Sequence, residues 1–217
     1  MGSIDTMKLM GDAFVSLAER FPLEKISVSD IVAASGKNRK TFYYHFNDKS
    51  HLIRWIFRND LASLLQERFE GASLVYEESG EYAMPDLPYY TLKKTGIRSL
   101  DGSGFFCALA DTFQNRRAYY AKALRSNDPD GLRAYLLELY TPALEKDIRF
   151  ILSNRTLSES SIQFLAEFYA GAIVTYMANR LCDPAEHDIL SDIDPFGNIV
   201  HDSIEHMIKE QQFRRVL

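Results

Sequence analysis

The sequence predicts an all-α protein, and three observations lead there. Apolar residues recur at steps of three and four along most of the chain, the period of an amphipathic helix. Capping residues and glycines fall where those patterns begin and end. No stretch of consequence shows the strict alternation of a half-buried strand. The 217 residues suffice for one or two domains with a real core, and 46% hydrophobic with 25% charged residues is a globular balance.

The elements follow in order. Residues 5–21 place Met7, Met10, Phe14, Leu17 and Phe21 on one stripe, and Pro22 ends that helix. Ser27 is an N-cap, answered by Asp30 three residues on, and Val28, Ile31 and Val32 then face inward. Gly36 closes this short helix where a left-handed residue suits. Asn38 caps a third helix whose inward side is Phe42 and Phe46. Asn47-Asp48 ends it and caps a longer helix bearing Leu52, Ile53, Ile56, Phe57, Leu64 and Leu65. Residues 71–104 carry Gly71, Gly80, Pro85, Pro88, Gly96, Gly102 and Gly104, and read as a loop with one short helix inside. Helical patterns return over about 105–125, 130–153, 158–182 and 196–213. The 158–182 segment is apolar on most sides, and its small residues (Ala166, Ala170, Gly171, Ala172, Ala178) let a partner helix approach closely.

Several function classes drop out. No apolar run approaches the roughly 18 residues that a membrane span needs. Cys107 and Cys182 lie far apart without a CxxC, as reduced thiols in a cytoplasm would. There is no GxSxG, P-loop, HExxH or glycine-rich dinucleotide turn, so neither an enzyme nor a cofactor is expected. His201, Asp202, Glu205 and His206 cluster near the C-terminus, but the two histidines stand about 140° apart on a helix and no metal is expected.

Charge is uneven. Residues 1–60 hold nine Lys and Arg against seven Asp and Glu; the rest holds sixteen against twenty-three. A mildly basic head on an acidic body suggests that one end faces a polyanion. The segment SVSDIVAASGKNRKTFYYHFNDK, Ser27 to Lys49, sharpens that suggestion. With Phe42 and Phe46 inward, Lys40, Thr41 and Tyr44 point outward, Tyr43 lies on the flank and Arg39 sits in the exposed first turn. A helix start also offers free N–H groups to an anion. In a helix-turn-helix the first residues of the second helix meet base edges, which nominates Arg39, Lys40 and Thr41. Tyr43, Tyr44, His45 and Lys49 are placed for phosphates, and Ser27 and Ser29 for the backbone or an adjacent base edge.

The segment ISVSDIVAASGKNRKTFYYHFNDKSHLI, and its TFYYHFxxK core at Thr41 to Lys49 above all, resembles the DNA-binding domain of the TetR family of bacterial regulators. The resemblance covers about residues 5–60. It implies Ser29, Arg39, Lys40 and Thr41 near bases, and Ser27, Tyr43, Tyr44, His45 and Lys49 near phosphates. Lys37 departs from the small aliphatic residue common after the turn glycine, and adds a cation that reaches the backbone or stays solvated. The segments NRRAYYAKALRSNDPDGLRAYL and FYAGAIVTYMANRL are similar to a C-terminal type of Gram-positive TetR-like proteins that includes dihydroxyacetone-kinase regulators.

This resemblance implies a three-helix DNA-binding domain over 1–50, a connecting helix over 48–70, and a helical-bundle ligand-binding and dimerisation domain over 51–217. It implies a homodimer on a palindromic operator, most often a repressor released by an effector. The alternative is a DNA-anchored regulator, activators included, governed by a protein co-regulator. Partners are thus double-stranded DNA, a second copy, and an unknown small molecule or protein. The body's aromatics, Phe106, Phe113, Tyr120, Tyr135 and Phe168 among them, fit either a ligand cavity or plain core packing. Phe164, Phe168, Ala170, Gly171, Val174, Ile199 and Ile204 are the expected dimer contacts, in a four-helix interface of 158–182 and 196–213.

Overall fold

The computed structural model describes residues 2–78, 83–91, 93–96, 99–126, 128–183, 185, 188–189, 202–203, 205–207 and 209–210. Helix α1 (Ser3–Arg20) buries Met10, Phe14 and Ala18 and stops before Pro22, whose ring cannot continue a helix. A 3-10 turn at Leu23–Lys25 leads into α2 (Val28–Ala34), α3 (Arg39–His45) and α4 (Lys49–Arg68). Met10, Phe14, Ile31, Phe42, Phe46 and Leu52 are all fully buried in the core that these four helices share. Each such side chain contributes on the order of 2 kcal/mol by leaving water. Phe46 packs between Phe42 and Trp55, with ring centroids 5.6 and 5.8 Å away. The 20 residues of α4 span about 30 Å, from the head into the body.

Among the described residues of 71–104, short elements stand where a loop is expected. A 3-10 turn at Gly71–Ser73 precedes β1 (Leu74–Val75), which pairs antiparallel with β2 (Tyr90–Thr91); β3 (Lys93–Lys94) pairs likewise with β4 (Leu100–Asp101). Arg58 of α4 organises this region from beneath. Fully buried, it donates to the Glu77 carboxylate, the Tyr135 hydroxyl (3.0 Å) and the carbonyls of Met84 (3.3 Å) and Leu87. These bonds hold the segment between β1 and β2 against α4, and they offset the cost of burying the guanidinium.

The helix expected over 105–125 is two: α5 (Ser103–Asn115) and α6 (Arg117–Arg125). The chain leaves helical geometry at Arg116, φ −130° and ψ 45°. There the Arg116 guanidinium meets Asp12 of α1 at 2.9 Å and Asp60 of α4 at 3.4 Å. Next come α7 (Leu132–Leu152) and α8 (Glu159–Leu181), packed along their length, with the Ser158 hydroxyl capping α8 at Ser161. Pro142 sits at an exposed position inside α7, where its missing N–H removes one helix bond. Of the last expected helix, the described residues 202–203, 205–207 and 209–210 are helical; Ser203 meets the Tyr169 hydroxyl at 2.6 Å. Ile199, His201 and Ile204 lie outside the described residues. Among those described, no helix is long and apolar enough to cross a membrane.

Candidate nucleic-acid interface

Local chemistry builds the head. The Ser27 hydroxyl accepts from the Asp30 N–H at 3.3 Å and donates to the Asp30 carboxylate at 2.6 Å, while the Ser27 N–H donates to the same carboxylate at 2.8 Å. These bonds from Ser27 hold the Asp30 carboxyl below its usual range. At the other end of α2, Gly36 takes φ +64°, and the N–H of Lys37 returns to the Val32 carbonyl at 2.8 Å. This left-handed closure turns the chain into α3 and favours glycine there. Asn38 caps α3 by accepting from both the N–H (2.9 Å) and the hydroxyl (3.1 Å) of Thr41.

On α3, Phe42 and Phe46 are sealed inside, while Arg39, Lys40, Tyr43 (56% exposed) and Tyr44 (81%) stand in solvent. Two phenols this exposed beside two cations give no packing benefit to a monomer; they suit a partner with phosphates and base edges. His45 is half-buried, with its Nδ1 3.5 Å from the Ser3 hydroxyl, and burial lowers its pKa. Lys37 is half-buried beside the turn.

Three nominated side chains are engaged within the protein. Ser27 is committed to its capping box. Ser29 accepts from Arg39 Nη2 at 2.5 Å. Lys49, expected near a phosphate, is half-buried, and its Nζ donates to the carbonyls of Leu23 (2.7 Å) and Ile26 (3.2 Å).

In the body, the nominated residues divide between core and surface. Phe106, Phe113, Tyr120 and Tyr135 are buried in close contact with other side chains: Phe113 stacks on Phe57 (5.7 Å) and meets Tyr120 edge-on (5.2 Å). Between Tyr90, Phe105, Tyr140, Ala170 and Val174 remains a dry cavity of about 10 Å³, at the limit for one water. Phe168 lines no interior space; it is 58% exposed and stacks on Phe164, 62% exposed, at 6.1 Å. Ala170 and Val174, expected at the dimer contact, face the protomer's own core, whereas Gly171 lies on the outer face with nothing within 4 Å of where a Cβ would stand.

The residues that join head to body escaped sequence reasoning. Arg116 bridges Asp12 and Asp60, and the Tyr120 hydroxyl donates to Asp60 at 2.7 Å. Burial raises the Asp60 pKa despite the bonds from Tyr120 and Arg116. Lys122 donates to the last carbonyls of α1, at Ala18, Glu19 and Phe21. Arg58 alone left a signal: an arginine in line with the apolar Leu61 and Leu65.

A capped, glycine-turned helix pair with an exposed basic second helix, set on a helical body, defines a helix-turn-helix regulator of transcription. The comparisons agree. Residues 12–55 match the family described as "Bacterial regulatory proteins, tetR family", and residues 103–187 match "Transcriptional regulator C-terminal region" of the same family. The HTH-type dhaKLM operon transcriptional activator DhaS of Lactococcus lactis subsp. lactis (strain IL1403) is 40% identical over 65 residues, which is 30% of this chain and 35% of that relative's length. The solved structure titled "Dihydroxyacetone kinase operon activator DhaS" has a TM-score of 0.53 at 20% identity, covering 96% of both chains, and shows the shared fold. The chain belongs to the TetR family of bacterial regulatory proteins.

Proposed function

We propose that this regulator binds a palindromic operator as a homodimer, with residues 1–50 as the DNA-binding head, 48–70 as the connecting helix and 51–217 as the effector and dimerisation body. The carrying observation is the exposed face of α3. Arg39 and Lys40 suit guanine O6 and N7, and Thr41, its hydroxyl spent on Asn38, keeps a methyl for a thymine methyl. Tyr43, Tyr44 and His45 suit phosphates. One seven-residue helix reads only a few bases, so two heads about 34–36 Å apart supply the affinity. The exposed Phe164–Phe168 stack beside Gly171 supports a face for the second copy on α8. An effector would act by biasing α4, the helix common to head and body.

The test is binding to a duplex selected by the protein from a randomised pool, measured in rising salt. Affinity should fall steeply, each phosphate contact adding about −0.9 to the log–log slope. A flat response overturns the proposal.

Family habit favours a repressor released by a small molecule. The second reading, an activator governed by a protein co-regulator, draws on two observations. Phe106, nominated for a ligand cavity, lines a space of only about 10 Å³. The relative that is 40% identical over 65 residues is named an activator. A reporter behind the selected duplex decides the sign: deleting the regulator raises transcription under the first reading and lowers it under the second.

A further inference from the structure

We infer that Ser29 and Lys49, both nominated by type and place for DNA contact, serve instead as positioning residues that hold the reading surface from within. The inference rests on the DNA-binding reading above and divides the labour among its residues.

Lys49 lies in the first turn of α4. Its ammonium reaches back to the carbonyls of Leu23 and Ile26, at 2.7 and 3.2 Å, in the connection between α1 and α2. Ile26 directly precedes Ser27, the cap of α2. One side chain therefore pins the start of α2 to the start of α4, and α3 lies between those two points in the chain. Two of the ammonium's three N–H donors are spent on these carbonyls, and drawing it out to a phosphate would loosen the angle at which α3 meets the groove. The side chain is half-buried, unlike Lys40 on the open face of α3.

Ser29 acts on Arg39. Its hydroxyl accepts from Arg39 Nη2 at 2.5 Å, a charge-assisted bond between the first turns of α2 and α3. The bond uses one of five guanidinium donors and leaves the others for a base. An arginine stem otherwise loses rotamer freedom on binding. Held beforehand by Ser29, Arg39 reaches the groove already aimed, and the serine influences base choice without touching a base.

The experiment uses the full chain and a duplex that the wild type selects from a randomised pool, with affinities read over a salt series and against single-base variants of that duplex. Lys49→Gln and Lys49→Met should each weaken binding several-fold at every salt concentration and leave the log–log slope unchanged. Lys49→Gln, which keeps an N–H donor, should weaken it less. Lys40→Met, the comparison, should lose about one contact's slope. If Lys49→Gln loses that slope as well, Lys49 holds a phosphate and the inference fails; this arm decides even if Lys49→Met does not fold. Ser29→Ala should relax preference at the base pair that Arg39→Ala relaxes, add nothing when combined with Arg39→Ala, and be rescued by Ser29→Thr. Relaxation at a different base pair, or full additivity, overturns it. A wild-type protein that selects no duplex refutes the DNA reading itself, an outcome distinct from either of these.

Discussion

A seven-residue helix is too short to be stable alone, so α3 depends on single side chains at its ends and beneath it. Asn38 supplies the cap, taking both the N–H and the hydroxyl of Thr41. Asn38→Ala should therefore cost about 1 kcal/mol in urea unfolding. On the exposed face the roles separate by reach. Tyr43→Ala should weaken binding to all duplexes about equally, whereas Arg39→Ala should also relax one base position, read by competition among single-base variants. Equal behaviour of the two would overturn the assignment. Titration adds a third expectation. Burial lowers the pKa of both His45 and His51, the latter with Arg54 assisting and Asp48 opposing. As pH falls through the ordinary histidine range near 6.5, the unfolded chain takes up protons that the folded rings refuse. Stability should thus be complete above about pH 7 and decline below it, and His51→Gln should flatten that decline in pH-dependent melting.

At the scale of elements, the head was legible and its attachment was not, for one physical reason. Ser27, Gly36 and Asn38 act within their own turns, so spacing alone places α2 and α3. The break at Arg116 answers to Asp12 and Asp60, which lie far away in sequence, and no local pattern encodes it. The pairing of β1 with β2 is equally silent, because the segment between them is held by a buried arginine on α4. Among the expected DNA contacts, the inward bonds of Lys49 were illegible for the same reason: its acceptors are more than twenty residues back. The joint so revealed is testable. Lys122 holds the final carbonyls of α1, and a cation there also suits the helix's negative end. Lys122→Met should accelerate hydrogen exchange in the last turn of α1 while α7 and α8 keep their protection. Uniform acceleration across the chain would mean that the contact stabilises the whole molecule rather than coupling head to body.

For the whole molecule, the question is what covers the outer face of α8. Most of that helix is spent within the protomer: Leu165, Ala166, Ile173, Val174 and Met177 are buried against the body core. Phe164 and Phe168 are not, and two stacked rings in water are among the larger apolar exposures on the described surface. Beside them Gly171 leaves room for a backbone to approach, and a Cβ there would meet nothing in the protomer itself. If a second copy seats on this face, Phe164→Glu and Phe168→Glu place like charges against each other across the two-fold axis and should yield folded monomers by sedimentation, with an unchanged melting profile at high dilution. Val174→Ala, aimed at the protomer's own core, should lower stability and leave the dimer intact. DNA binding supplies an independent readout. A monomer keeps one head, so the salt slope should fall by about half and the affinity for the selected palindrome by about 10²–10⁴-fold, the advantage of binding twice. Glutamate variants that remain dimeric and keep the full slope would show that α8 does not join the subunits, and would place the two-fold axis elsewhere on the body.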